Sequence, residues 1–250
     1  MPNVANRPAA TRWLDPQSLD FPDPQTALQQ PNGLLAIGGD LSIERLLCAY
    51  RQGIFPWYED PQPILWWSPS PRAVLLPERL HISRSLRKVI NSGQFTASID
   101  LQFSRVLEHC ASLRQYREGT WITPAMSHAY NTLFRLGYAH SIEILHQGEL
   151  VGGLYGVALG QVFYGESMFS LHSNASKVAL FVLCETMQRR GGQLIDCQVM
   201  SDHLRSMGAR GWSRGDFMFA LEKYARAPDT LGRWDLPEDL VPLTVRPCTK

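Results

Sequence analysis

Glu166, Asp196 and Gln198 are the residues whose types and spacing offer chemistry. Glu166 lies in the middle of Gln161–Phe169 (QVFYGESMF), an apolar run with strand character. Asp196 and Gln198 stand two apart in Gln193–Val199 (QLIDCQV), so a strand there puts both side chains on one face. Carboxylates and an amide among apolar neighbours need partners or a solvent-filled site. If they converge, they form a pocket that can hold an ammonium group and position, or deprotonate, a reacting amine. Plainer readings stand beside this one. Glu166 can be a residue on the solvent face of a strand, although alternation gives it the same face as Tyr164 and Met168. Asp196 and Gln198 can be a strand-end cap or a satisfied buried pair.

The elements that must position these residues are legible around them. His140–His146, Glu149–Ala158 and Gln161–Phe169 are strand-like and joined at Gln147-Gly148 and Leu159-Gly160, as an antiparallel meander. Ser173-Asn174 is an N-cap signal for a helix over Ala175–Arg190, stopped by Gly191-Gly192. Asn174, Ser176 and Lys177 begin that helix, whose free amides can take an anion, though ordinary capping is commoner. His172 and His203 are candidate bases, with a structural role the commoner one for a lone His.

Upstream, Met1–Asp20 reads as a loosely held arm, with Trp13 and Leu14 able to dock. Phe21–Gly39 reads as turns with a short helix, and Asp40 or Ser42 caps a helix through Gln52. Trp57, Trp66 and Trp67 crowd a Pro-rich stretch and either build a small core or line a cleft. Pro69–Leu76 follows as a strand, His81–Asn91 as a helix, Phe95–Asp100 as a strand, and Phe103–Ser112 and Thr123–Leu136 as helices, with Trp121 in the loop between these last two. Arg84, Arg87 and Lys88 share helical spacing, either for phosphate contacts or as a solvated face. A boundary is expected near residue 70, giving a small unit over 1–69 and a larger one over 70–250.

Composition is that of a soluble globular protein: 250 residues, 44% hydrophobic, 19% charged. A net charge of +1 announces no polyanion partner, but only the local field steers a ligand. The five cysteines form no metal-like pair, and the seven histidines are scattered without an HxxxH, so no metal is expected. An odd cysteine number, no signal-peptide core and no apolar run of membrane-spanning length lead to an expected cytoplasmic location, without a membrane. No Walker loop, GxSxG elbow or GxGxxG fingerprint is present.

Several motifs in one order carry a resemblance. PNGLLAIGGDLS (Pro31–Ser42), AYRQGIFPW (Ala49–Trp57), ILWWSPSPRAVL (Ile64–Leu75), HISRS (His81–Ser85), EGTWIT (Glu118–Thr123), GESMFS (Gly165–Ser170), NASKVAL (Asn174–Leu180) and LIDCQV (Leu194–Val199) resemble the leucyl/phenylalanyl-tRNA–protein transferases, over roughly residues 21–220. The resemblance implies an α+β fold: a small N-terminal domain on a larger GNAT-like acyltransferase domain with an antiparallel-rich mixed sheet and flanking helices. It implies transfer of Leu or Phe, with Met the next candidate, from aminoacyl-tRNA to the N-terminal Arg or Lys of proteins. That modification marks them for N-degron degradation. By the same resemblance Glu166 and Gln198 hold the amine, with Asp196 acting through Gln198 or, in a competing version, taking the proton itself. Leu154, Phe163, Met168, Leu183 and Ile195 build the apolar pocket. Trp57 and Trp121 stack on the terminal adenosine, and Arg84, Arg87 and Lys88 take the acceptor stem. No cofactor and a monomer are expected. The place of the GNAT pyrophosphate loop holds FSLHSNASK, which has no glycine, so acetyl-CoA binding is not expected. An acetyltransferase of small amines and a non-enzymatic RNA-binding adaptor are the rival readings.

Overall fold

The computed structural model describes residues 12–115 and 122–245. The first part of the chain forms β1 (Arg12–Leu14), β2 (Leu34–Gly38), α1 (Ile43–Arg51), β3 (Phe55–Pro56) and β4 (Leu65–Trp67). From there follow β5 (Arg72–Leu75), α2 (Arg84–Asn91), β6 (Thr96–Ile99), α3 (Phe103–Gln115), α4 (Pro124–Arg135), β7 (Ala139–His146), β8 (Glu149–Leu159) and β9 (Val162–Ser170). The last elements are α5 (Ala175–Arg189), β10 (Leu194–Gln198), α6 (Asp202–Ser206), β11 (Arg210–Trp212) and α7 (Arg214–Tyr224). The fold is α+β, with one four-stranded sheet ordered β1-β2-β4-β3 and one seven-stranded sheet ordered β11-β5-β10-β9-β8-β7-β6.

The expected meander is β7, β8 and β9, paired antiparallel through the two short turns. Alternation gives this sheet two buried faces. Val74, Tyr155, Tyr164 and Leu194 face a core built with α1, α3, α4 and α7, which also takes in Leu35 and Trp66 of the small sheet. Leu75, Leu154, Phe163 and Ile195 face a second core under α2 and α5. The small sheet and the larger one therefore share a core. Two glycines permit close approaches. A Cβ on Gly152 would lie 2.4 Å from that of Ala175, at the start of α5, and one on Gly53 would meet Phe217 at 2.8 Å.

The small sheet departs from expectation. Leu14 is buried and β1 pairs parallel with β2, so this part of the expected arm is a strand. Leu34–Gly38, expected among turns, is β2, and a one-turn 3₁₀ helix occupies only Pro24–Thr26. Strands of three to five residues interrupted by Gly and Pro carry too little periodicity to be seen. At the other end, the tail is anchored at buried Asp100, which takes the backbone N–H of Trp234 at 2.7 Å and lies 2.8 Å from Nδ1 of His140. The imidazole of His140 stacks on Trp234 at 4.0 Å.

Candidate active site

The site lies where β9 and β10 part. They are the larger sheet's parallel pair, with α5 as the crossover, and they pair only from Leu194↔Val162 to Asp196↔Tyr164. Beyond that point each strand has an irregularity. On β9 the pairing with β8 jumps from Gly165 to Ser167, leaving Glu166 as the extra residue. On β10 the register against β5 shifts between Asp196 and Gln198, and Gln198 takes a left-handed φ of 61°. Bulges of this kind re-aim side chains and end pairing. Between the diverging strands lies a cavity of about 750 Å3.

Leu154, Phe163, Met168, Leu183 and Ile195 all line this cavity, as does Trp57. Trp57 is 44% exposed, and its backbone carbonyl accepts the indole N–H of Trp67 at 2.6 Å. Trp66 is a core residue, with its N–H on the Gly38 carbonyl at 2.8 Å. The two alternatives for the aromatic stretch thus fall to different residues, Trp66 in the core and Trp57 at the cavity. Trp121 lies outside the described residues. Arg84 and Lys88 are exposed on α2 and Arg87 is half-buried. None of the three lines the cavity.

Glu166 and Gln198 also line the cavity and meet there: the amide Nε2 donates to Oε1 of Glu166 at 3.0 Å. Two residues not singled out from sequence complete the group. The Tyr50 hydroxyl reaches Oε1 at 2.8 Å, the Tyr130 hydroxyl reaches Oε2 at 2.6 Å, and the two hydroxyls lie 2.8 Å apart. These contacts close a ring. Each hydroxyl supplies one proton, so two protons would serve three contacts unless the carboxyl carries a third. A proton on Glu166 supplies the third. Burial, the largest cause, pushes the Glu166 carboxyl up to about 7, against the lowering effect of the tyrosine hydrogen bonds. Burial and then the Glu166 charge push both phenols well above their usual range, so they remain donors.

Tyr50 stood inside the quoted AYRQGIFPW run, and Tyr130 sits on the buried face of α4 with Met126 and Leu133. Nothing local marked either, because their partner is 116 and 36 residues away in the chain. The shared face expected of Tyr164, Glu166 and Met168 is not formed. The bulge at Glu166 reverses the alternation, so Tyr164 packs in the first core and Met168 against the second.

Asp196 does not line the cavity. It accepts a two-pronged pair from Arg72, with Nε at 2.8 Å and Nη2 at 2.7 Å, both side chains being fully buried. The guanidinium is sandwiched between the rings of Phe55 and Phe217 at 4.8 and 4.7 Å. Asp196 Oδ1 also accepts the Gln198 backbone N–H at 2.9 Å, holding that residue in its unusual conformation.

Asn174 has a left-handed φ of 70° and makes no side-chain cap, contrary to expectation, while the Ser176 N–H donates to Ser170 Oγ at 3.3 Å. His203 lines the cavity, its Nε2 has no hydrogen-bond partner among the described residues, and burial lowers its pKa, as does Lys177. His172 instead packs against Phe95 and His146. Among the described residues no group of three or more His, Cys, Asp or Glu could hold a metal, and no helix is long and apolar enough to cross a membrane.

A cavity with an apolar set of walls, a carboxyl pushed up to about 7 and an amide suits an amine that carries, or is to receive, an apolar group. Fold and site together define an α+β protein whose cavity offers a carboxyl and an amide to an amine. Comparison with known proteins narrows the class. Residues 74–222 match the family model for leucyl/phenylalanyl-tRNA protein transferase, and residues 39–70 match the model for its N-terminal domain. The leucyl/phenylalanyl-tRNA–protein transferase of Pseudomonas putida (strain W619) is 55% identical over 218 residues, covering 87% of this chain and 96% of its own. That of Azotobacter vinelandii is 55% identical over 217 residues, with 87% and 96% covered. Among solved structures, L-PGS from Bacillus licheniformis aligns with a TM-score of 0.41 at 10% identity, covering 74% of this chain and 71% of that one. A GCN5-related N-acetyltransferase from Kribbella flavida aligns with a TM-score of 0.37 at 13% identity, covering 66% and 59%. The chain belongs to the leucyl/phenylalanyl-tRNA–protein transferase family, and is an aminoacyltransferase.

Proposed function

We propose that the cavity between β9 and β10 receives the leucyl or phenylalanyl group of an aminoacyl-tRNA and delivers it to the α-amine of a protein's N-terminal Arg or Lys. The observation that carries this reading is the pairing of Glu166 with Gln198 in a cavity that Leu154, Phe163, Met168, Leu183 and Ile195 also line. The ester of the donor is already activated, so the enzyme needs to orient the partners and manage one proton.

Leu154, Phe163, Met168, Leu183 and Ile195 exclude polar side chains, and the flexible thioether of Met168 adapts to Leu or Phe. Trp57 offers its exposed indole to the terminal adenosine. Gln198 orients an amine, and Asp196, held by Arg72, is a positioning residue that acts through Gln198. Glu166 is the proton acceptor. Its carboxyl, pushed up to about 7, lies close to the roughly 7.7–8.0 of an α-amine, so transfer between them is nearly balanced. The arriving ammonium gives one proton to ionised Glu166, which closes the tyrosine ring. The amine nitrogen then bonds to the ester carbonyl carbon, its second proton goes to the departing ribose oxygen, and the ester C–O bond breaks.

Two further elements belong to this reading. The chain divides near residue 70, where the strands of the small sheet end and those of the larger begin. The α2 residues Arg84, Arg87 and Lys88 meet the acceptor stem. In this reading the protein acts in the cytoplasm, as a monomer, in N-degron marking and without a cofactor. The test is a transfer assay with leucine-labelled tRNA and two model proteins, one starting with Arg and one with an acidic residue. Label should move only to the first, and prior RNase should abolish it. Binding of tRNA by folded protein without any transfer would sink the reading in favour of an RNA-binding adaptor.

A further inference from the structure

A second cavity, of about 520 Å3, opens beside the first, and the short helix α6 serves both. Ser201, His203 and Leu204, at and near its start, line the first cavity. Arg205 and Ser206, at its end, line the second with Arg79, His81, Arg210 and Trp212. The loop bearing Arg79 and His81 is tied to the end of α6, with the His81 N–H on the Met207 carbonyl at 2.9 Å. Arg210 opens β11, which pairs with β5 at the edge of the sheet.

The charge pattern here is one-sided. Arg79, Arg205 and Arg210 bring permanently charged guanidinium groups to one cavity, and no carboxylate is among the residues that line it. The side chains of Arg79 and Arg210 have no ion-pair or hydrogen-bond partner among the described residues. Arg205 has only Asp202 at 4.0 Å, with both side chains exposed. The chain as a whole carries only +1, so this concentration is local. Like charges held together raise the local potential, and a multivalent anion relieves it. The planar guanidinium fork suits phosphate in particular.

Two observations choose among phosphate-bearing ligands. The five residues of α6 span only about 7–8 Å, so the parts of α6 that line the two cavities lie within a helix length of each other. The basic run also continues along the chain, from Arg79 and His81 into Arg84 and Lys88, which are exposed on α2. We infer that the Arg79–Arg205–Arg210 cavity binds backbone phosphates of the RNA donor close to its aminoacylated end. This rests on the donor reading given above. It adds an anchor that the apolar cavity does not supply, and one blind to base sequence.

The test uses the full chain with Arg79, Arg205 and Arg210 all changed to Gln. Affinity for uncharged tRNA is measured by filter binding across a salt series, and transfer is measured from leucyl-tRNA and from a leucyl-adenosine lacking backbone phosphates. Three lost phosphate contacts at about 0.7–0.9 each should reduce the slope of log K against log salt by about 2–3, and weaken binding at least about ten-fold near 0.1 M salt. Turnover of the leucyl-adenosine should not change. An unaltered slope and affinity would overturn the proposal, as would a raised KM for the acceptor protein with tRNA binding intact, which would give the cavity to an acidic peptide. If the triple variant melts early, Arg79→Gln and Arg210→Gln are read singly, each expected to lower the slope by about 0.7–0.9. Failure of the donor reading is distinguishable, because the wild type would then transfer nothing from leucyl- or phenylalanyl-tRNA in the same assay.

Discussion

Replacing Glu166 by Gln separates what the carboxyl does for catalysis from what its burial costs the fold. A glutamine has the shape of the protonated acid. Its carbonyl can accept from Tyr50 and Gln198, and its NH₂ can donate to Tyr130, so the ring of contacts at 2.8, 2.6 and 2.8 Å can persist. What is lost is the ability to ionise. The wild-type carboxyl rises from 4.5 to about 7 on folding. A raised folded pKa stabilises fully below the unfolded value and loses that contribution as pH rises through the folded one. At about 1.4 kcal/mol per unit, the wild type forfeits about 3 kcal/mol between acid and pH 8.5, most of it between pH 5 and 7. The variant forfeits none of this.

The expected outcome is a stability difference, variant minus wild type, that grows by about 2–3 kcal/mol in favour of Gln from pH 5 to pH 8.5. Urea unfolding at four or five pH values measures it, and the subtraction cancels every other titrating group. Turnover should move the other way, falling by about 10²-fold or more if Glu166 is the proton acceptor. A difference that stays flat with pH would mean that the carboxyl is not held near neutrality. Wild-type turnover in the folded variant would remove it from the proton path.

Other outcomes follow from the same contacts. Tyr130→Phe removes a hydrogen bond that lowers the Glu166 pKa, so the acid limb of the transfer rate should move to higher pH, and an unshifted limb would refute the coupling. Arg72→Met leaves Asp196 buried without its partner and should cost about 3–5 kcal/mol in a thermal or urea melt. Adding Asp196→Leu should restore much of that stability but not turnover, because Gln198 stays unanchored; recovered turnover would deny the positioning role. Trp57→Ala should leave the melt nearly unchanged and raise the donor KM by about 10- to 100-fold, the worth of one stacked base; an unaltered KM would make Trp57 a mere rim residue. Burial lowers the His140 pKa, so its contribution to stability is present above about 6.5 and is lost as pH falls through the folded value. The stability gap between wild type and His140→Asn should shrink from pH 7 to pH 5, and an equal gap at both would contradict it.

Where the chain obeys its own periodicity, the sequence discloses the structure. The strands β7, β8 and β9 and the helix α5 end within a residue or two of where alternation and glycine stops put them. Five apolar residues assigned to a pocket by resemblance all line the cavity. The site itself exists because two strands break that periodicity. Strict alternation on β9 would set Glu166 beside Met168, and regular pairing of β10 would carry Gln198 along with Asp196 into the core. The irregularities at these positions send Glu166 to Tyr50 and Tyr130, part β10 from β9, and bring Gln198 back across the gap. A pattern rule reads the average strand, so it fails at the residues that a bulge has re-aimed. The Arg72–Asp196 pair is hidden for another reason. Its members are 124 residues apart, and each alone reads as an ordinary polar residue near a strand end. Their buried pairing fixes β5 to β10 at the point where β10 leaves β9, and so sets the width of the opening in which Gln198 and Glu166 meet.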